Sequence, residues 1–173
     1  MPAAGMKLLP GAVAVALGLW LSGMALAEHR VAIRIAGGTE DLEETIRGAS
    51  RLLELEPQEK VAAQDLLAAA RADYGAILSA LYAQGHYSGV ISIRLDGREA
   101  ATIPALEMPA TVGMVQISVD PGPPFRFGRV ALGPQAQGTE LPEGFRPGAP
   151  AGSGVVTSAV ELSIRAWREV GHA

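Results

Sequence analysis

The stretch from Gly113 to Leu132 limits the fold more than any other. Val115, Ile117 and Val119 alternate with Gln116, Ser118 and Asp120, the period of a half-buried strand. Asp120-Pro121-Gly122-Pro123-Pro124 follows at once. Its prolines remove backbone donors and its glycine is free to take positive φ, so no strand runs through it. Beyond it, Phe125, Phe127, Val130 and Leu132 carry apolar bulk along a second stretch, with Gly128 inside it as a bulge or bend. One β-rich unit is therefore expected to end at the Pro-Gly block and a second to open with a strand over Phe127 to Leu132.

The chain before this junction reads as a complete α+β unit. Val31, Ile33 and Ile35 alternate with Ala32, Arg34 and Ala36, a short strand that stops at Gly37-Gly38. A helix is expected next, capped by Thr39 or Asp41. Glu40, Glu43 and Glu44 suit the positive end of its dipole, Leu42, Ile46, Ala49 and Leu53 form its apolar stripe, and Pro57 ends it. The spacing predicts a second helix with Asp65 as its cap, with Leu66, Leu67, Ala70, Tyr74, Ile77, Leu78 and Leu81 on one face and Gly85 as a left-handed C-cap. The period then changes to two. Ile91, Ile93 and Leu95 alternate with Ser92, Arg94 and Asp96, and Asp96-Gly97 makes a tight turn. Arg98 and Glu99 read as a solvated turn, and Arg98 to Val112 as a long link or a weak extra strand before the strand at Met114 to Val119. Periodicity alone thus supports strand, helix, helix, strand, strand: a three-stranded sheet with two helices on one face.

After the junction the plan restarts. Gly133 to Gly152 is a Pro/Gly-rich connection, and Ser153 to Val170 is a helix with Val156, Val160, Ile164 and Trp167 on its apolar face. It ends at Gly171-His172, echoing Gly85-His86, where the first unit continues into two strands. An incomplete second unit is expected over residues 123–173, following a first domain over residues 28–122.

The run Val-Asp-Pro-Gly-Pro-Pro-Phe-Arg-Phe-Gly-Arg-Val from Val119 to Val130 resembles the junction between consecutive POTRA domains of the BamA/TamA superfamily of outer-membrane assembly factors, the TamA-like branch in particular. Ala83-Gln84-Gly85-His86-Tyr87 resembles the helix-to-strand corner of such domains. The resemblance implies a POTRA-like β-α-α-β-β module. It also implies a place in the periplasm beside the outer membrane, a part in assembling β-barrel and autotransporter proteins, and a TamB-like partner anchored in the inner membrane.

The N-terminal residues fit export. Lys7 is the only charge before Glu28; an apolar run from Leu8 to Leu21 follows, and Ala25-x-Ala27 matches a signal-peptide cleavage site. Residues 1–27 are expected to be a leader. The other reading, an uncleaved membrane anchor, belongs to a POTRA-bearing division protein of the FtsQ kind. The cleavage pattern and the near absence of flanking positive charge weigh against it.

Chemistry finds little purchase. The chain has 14 Lys and Arg against 18 Asp and Glu, so no basic face is expected to follow a nucleic-acid backbone. With no cysteine, disulfides, Cys-ligated zinc and thiol nucleophiles are excluded. Of the three histidines, His29 and His172 stand near the ends of the mature chain, outside any preorganised pocket, and His86 follows a helix C-cap where an imidazole can bond free carbonyls. Gly152-Ser153-Gly154 lacks the preceding strand that a nucleophile elbow needs. No spacing of His, Asp and Glu points to a metal, and no cofactor or enzymatic activity is expected. What remains is recognition by backbone: a small sheet with exposed edges can accept an extended client segment. The expected edge is Ser88, Gly89, Val90, Ile91, Ser92, Ile93, Arg94 and Leu95.

Overall fold

The computed structural model of the chain describes residues 29–107 and 109–172; the expected leader lies outside them. No described helix is long and apolar enough to cross a membrane. The elements run β1 (Arg30–Ile35), α1 (Glu40–Ala49), α2 (Arg51–Leu55), α3 (Ala63–Ala83), β2 (Val90–Leu95), β3 (Arg98–Glu99), β4 (Met114–Asp120) and α4 (Ser153–Glu169). The sheet order is β1-β4-β2-β3. β1 runs parallel to β4 from Arg30 opposite Met114 to Ile35 opposite Val119. β2 runs antiparallel to β4 from Val90 opposite Asp120 to Leu95 opposite Val115. The protein is α+β, and up to Asp120 it runs β-α-α-α-β-β-β with a four-stranded mixed sheet, where three strands and two helices were expected: the first helix is split and the two-residue β3 is added after the Asp96-Gly97 turn. This layout is compatible with a POTRA-like fold.

Strand alternation divides the sheet into two faces. Val31, Ile93, Leu95, Val115, Ile117 and Val119 are buried and meet Leu42, Ile46, Leu52, Leu66, Ile77 and Leu81 of the helices in one core. Arg30, Arg34, Arg94, Gln116 and Ser118 are on the other face, open to solvent. That is the pattern of an antiparallel or mixed sheet covered on one side only.

The first expected helix is two. Thr39 does cap α1, accepting from the Leu42 amide, but the backbone turns extended at Ser50 (φ −87°, ψ 117°) and restarts as α2. The apolar stripe continues across the break because Leu52 is buried as Leu42 and Ile46 are. The cause lies on α3. Asp73, fully buried, accepts from the Ser50 hydroxyl at 2.6 Å, the Arg51 amide at 2.8 Å and the Leu52 amide at 3.2 Å. A carboxylate from another helix thus satisfies donors at the start of α2.

Two other local expectations change. Asp65 does not cap α3: the helix starts earlier, Ala62 is the N-cap with no side-chain bond, and Asp65 sits in the first turn near the positive end of the dipole. The strand expected over Phe127 to Leu132 does not form. Pairing stops at its first residue: Phe127 donates to the Ala149 carbonyl at 2.9 Å and accepts from the Gly148 amide at 2.7 Å, beside a bridge between Arg126 and Pro150, and no strand is formed over Gly128 to Leu132. The remaining punctuation holds. β4 ends at Asp120, whose carboxylate accepts from the Gly122 amide at 3.0 Å. Asp96 and Gly97 both take positive φ, 46° and 82°, the signature of the two-residue type I′ hairpin turn.

Candidate functional site: the outer edge of β2

Along one side β2 is fully paired with β4. Its other side faces β3 only at Arg94, opposite Glu99, and at Leu95, opposite Arg98. The direction of each amide follows from two bonds. Ile93 donates outward, to the Tyr74 hydroxyl at 3.2 Å and to Glu99 Oε1 at 3.2 Å, whereas Asp96 donates inward, to the Met114 carbonyl at 2.8 Å. Because successive amides alternate in direction, Ile91 and Leu95 point outward with Ile93, while Val90, Ser92 and Arg94 point into the sheet. The eight-residue edge expected from sequence therefore narrows. Arg94 and Leu95 are covered by β3, the Ile93 amide is taken by side chains, and Ser88 to Ser92 remains open, with Ile91 as its outward donor.

Glu99 is the residue that sequence reasoning misses here. Far from a solvated turn, its carboxylate accepts from Ser92 Oγ at 2.7 Å, from the Ile93 amide and from the Tyr74 hydroxyl, and lies 3.7 Å from the Arg94 guanidinium. Burial alone would raise the Glu99 carboxyl. The bonds from Tyr74, Ser92 and Ile93, with Arg94 beside it, outweigh that and hold it below the usual carboxylate range. Burial, and then the bond to Glu99, push the Tyr74 phenol up. The two shifts agree on a phenol donating to a carboxylate. The only sequence signal for this staple was a carboxylate just after a hairpin turn, two strand positions from a serine.

The other end of β2 meets the junction. Gly85 takes φ 84°, its amide bonds the Tyr82 carbonyl and the His86 amide bonds the Leu81 carbonyl, which together make a Schellman cap. His86 does bond a carbonyl, but that of Gly122 in the Pro-Gly turn, at 3.0 Å through Nδ1, rather than one of its own helix. Phe125 donates to the Gly85 carbonyl at 2.9 Å. Its ring meets Tyr87 edge-on at 5.9 Å, and Tyr82 lies 4.9 Å beyond Tyr87. The Tyr87 hydroxyl donates to Ala151 at 2.5 Å. The corner at Gly85 to Tyr87 thus ties the module to both the Pro-Gly turn and the start of α4.

Nothing at these positions assembles a reactive constellation. His29, expected outside any pocket, is in fact buried, its ring held 3.1 Å from the Leu55 carbonyl; it joins β1 to the end of α2. His172 packs edge-on against Trp167 at 5.0 Å. Ser153 opens α4 and follows no strand. Among the described residues no cluster of three His, Asp or Glu side chains could hold a metal ion.

The fold and this edge define a class, a small α+β module with one solvated sheet face and a partly open edge strand. Comparison with protein-family models finds no match, and comparison with curated proteins finds none either.

Proposed function

We propose that the chain is a non-enzymatic POTRA-like region of a TamA-like factor for outer-membrane protein assembly. It acts in the periplasm by taking extended segments of β-barrel or autotransporter clients onto its sheet, together with a TamB-like partner. The observation that best supports this reading is the edge at Ser88 to Ser92. There Ile91 turns its amide away from β4 with no described group to receive it, while the Glu99 staple closes the strand just beyond. An added strand gains affinity from main-chain hydrogen bonds and selectivity from alternate side chains. One mixed sheet with its helices packed on a single face, and the docking of the Pro-Gly turn on the Gly85-His86 corner, support the same reading.

The amide directions choose the test. Ser92→Pro and Ile93→Pro each remove a bonded donor and should damage the sheet. Ile91→Pro removes the outward one, with Ile91→Ala as the control for the lost side chain. With circular dichroism showing both variants folded, Ile91→Pro should weaken binding of a peptide from an outer-membrane β-barrel strand by roughly tenfold, the equivalent of about 1.4 kcal/mol, and Ile91→Ala by much less. Parental affinity in folded Ile91→Pro would remove this edge as the site.

A further inference from the structure

We propose that the opposite edge of the sheet, along β1, is a docking strand for an extended acidic segment of another protein. β1 is last in the sheet order and pairs on one side only. The Arg30 amide bonds the Gly113 carbonyl at 3.1 Å and the Ala36 amide bonds the Val119 carbonyl at 2.9 Å. By alternation the amides and carbonyls of Val31, Ile33 and Ile35 face the open side, where no described group receives them. This row is longer than the one on β2. It runs in unbroken register, without the proline, bulge or inward-pointing charge that commonly closes an edge.

Charge selects the occupant. Arg30 and Arg34 stand on the exposed sheet face on either side of Ala32, and neither forms an ion pair among the described residues. Arg94 shares that face, and the one carboxylate beside it, Glu99, is already held by Tyr74, Ser92 and Ile93. Two further carboxylates share the face, but Asp120 is turned onto the Gly122 amide and Asp96 onto the Gly113 and Met114 amides, so Arg30 and Arg34 are the only charges on β1 itself, nearest to an added strand. Arginines on an edge strand also serve solubility. Here they rise from the face and leave the backbone row clear. A strand added to β1 sets its side chains about 5 Å from those opposite. Carboxylates four residues apart, with a small residue midway, therefore meet Arg34 and Arg30 together. Arg30 borders a hollow it shares with Glu56 and Glu59, so Arg34 carries more of the attraction. This inference stands apart from the assembly role and from the β2 edge.

The probe is a synthetic strand-forming peptide with two glutamates four residues apart, titrated by fluorescence anisotropy against the full chain. Three companion peptides carry lysines at the same places, N-methyl groups on the edge-facing amides, or serines in place of both glutamates. The glutamate peptide should bind and should slow hydrogen exchange at Val31, Ile33 and Ile35. Arg34→Glu should weaken it roughly tenfold and admit the lysine peptide in its place. Ile33→Pro, folded by circular dichroism and compared with Ile33→Ala, should abolish binding, as should N-methylation. No binding at millimolar peptide would overturn the proposal. So would protection at Ile91 instead of Ile33, equal binding of the N-methylated or serine peptides, or a concentration-dependent dimer that Ile33→Pro dissolves, which would make a second copy the occupant.

Discussion

The residues before Asp120 and those after it use similar apolar side chains to different ends. In the first region every large side chain of the core is closed off, from Leu42 and Ile46 to Ile117 and Val119. In the second, the buried apolar residues are small, Ala136, Ala149 and Ala159, while Val156, Val160 and Ile164 of α4 are 42%, 40% and 46% exposed. Both regions contain an amphipathic helix. Only the first sets its helices against a sheet, and the difference teaches that an apolar stripe becomes a core only when an opposing layer exists to receive it.

Matched truncations measure this contrast most directly. Ile77→Ala in α3 should cost about 2–5 kcal/mol, as deletions from a closed core do, whereas Ile164→Ala in α4 should cost less than about 1 kcal/mol because water already reaches the site. Chemical denaturation of both variants decides the matter, and equal losses would show that α4 is covered. Hydrogen exchange on the parent gives the same contrast without mutation: Leu66 to Leu81 and Val115 to Val119 should exchange far more slowly than Val155 to Val170.

The link between the regions is the next target. A Cβ at Gly152 would clash with the Ala83 carbonyl oxygen, so Gly152→Ala must push the start of α4 away from the end of α3. A loss of about 1–3 kcal/mol is expected. It should be accompanied by faster exchange at Phe125 and Ala151 and unchanged exchange in β4. A uniform loss across both regions would mean that they unfold as one unit.

Smallest is the effect of pH on the Glu99 staple. The folded carboxyl lies below its usual range, so its contribution is present above the ordinary carboxylate pKa and lost as pH falls through the folded value. Tyr74 is raised, so its contribution is present below about pH 10 and lost as pH rises through the folded phenol value. The Ile93 amide should therefore exchange faster at both extremes, Glu99→Gln should remove the acid limb, and α4 should show neither limb.

Much of the fold was legible in the sequence because it is local. Period-two runs located β1, β2 and β4, Gly85 located the end of α3, and Asp96-Gly97 located the hairpin. The errors share a cause. Ser50 reads as an ordinary helical residue until Asp73, more than twenty positions away, supplies the acceptor that lets the helix break there. Phe125 to Leu132 carries the apolar weight of a strand, yet a strand needs a neighbour along its length, and only Phe125 to Phe127 finds one, at Gly148 to Ala151. The candidate edge was found as a segment, but which amides it offers depends on the register with β4 and on Glu99, whose carboxylate draws its partners from two other elements, α3 and β2.

The Glu99 staple has a further consequence for self-assembly. A sheet with two unlike free edges invites head-to-tail stacking, β1 of one molecule against β2 of the next, and a contact between different surfaces need not close into a ring; it can propagate into a fibre. Continuous pairing of that kind needs a full row of donors on both sides. By taking the Ile93 amide while β3 covers Arg94 and Leu95, Glu99 leaves β2 a shorter free row than β1 offers, so the two edges do not match along their length and continuous stacking of one on the other is disfavoured.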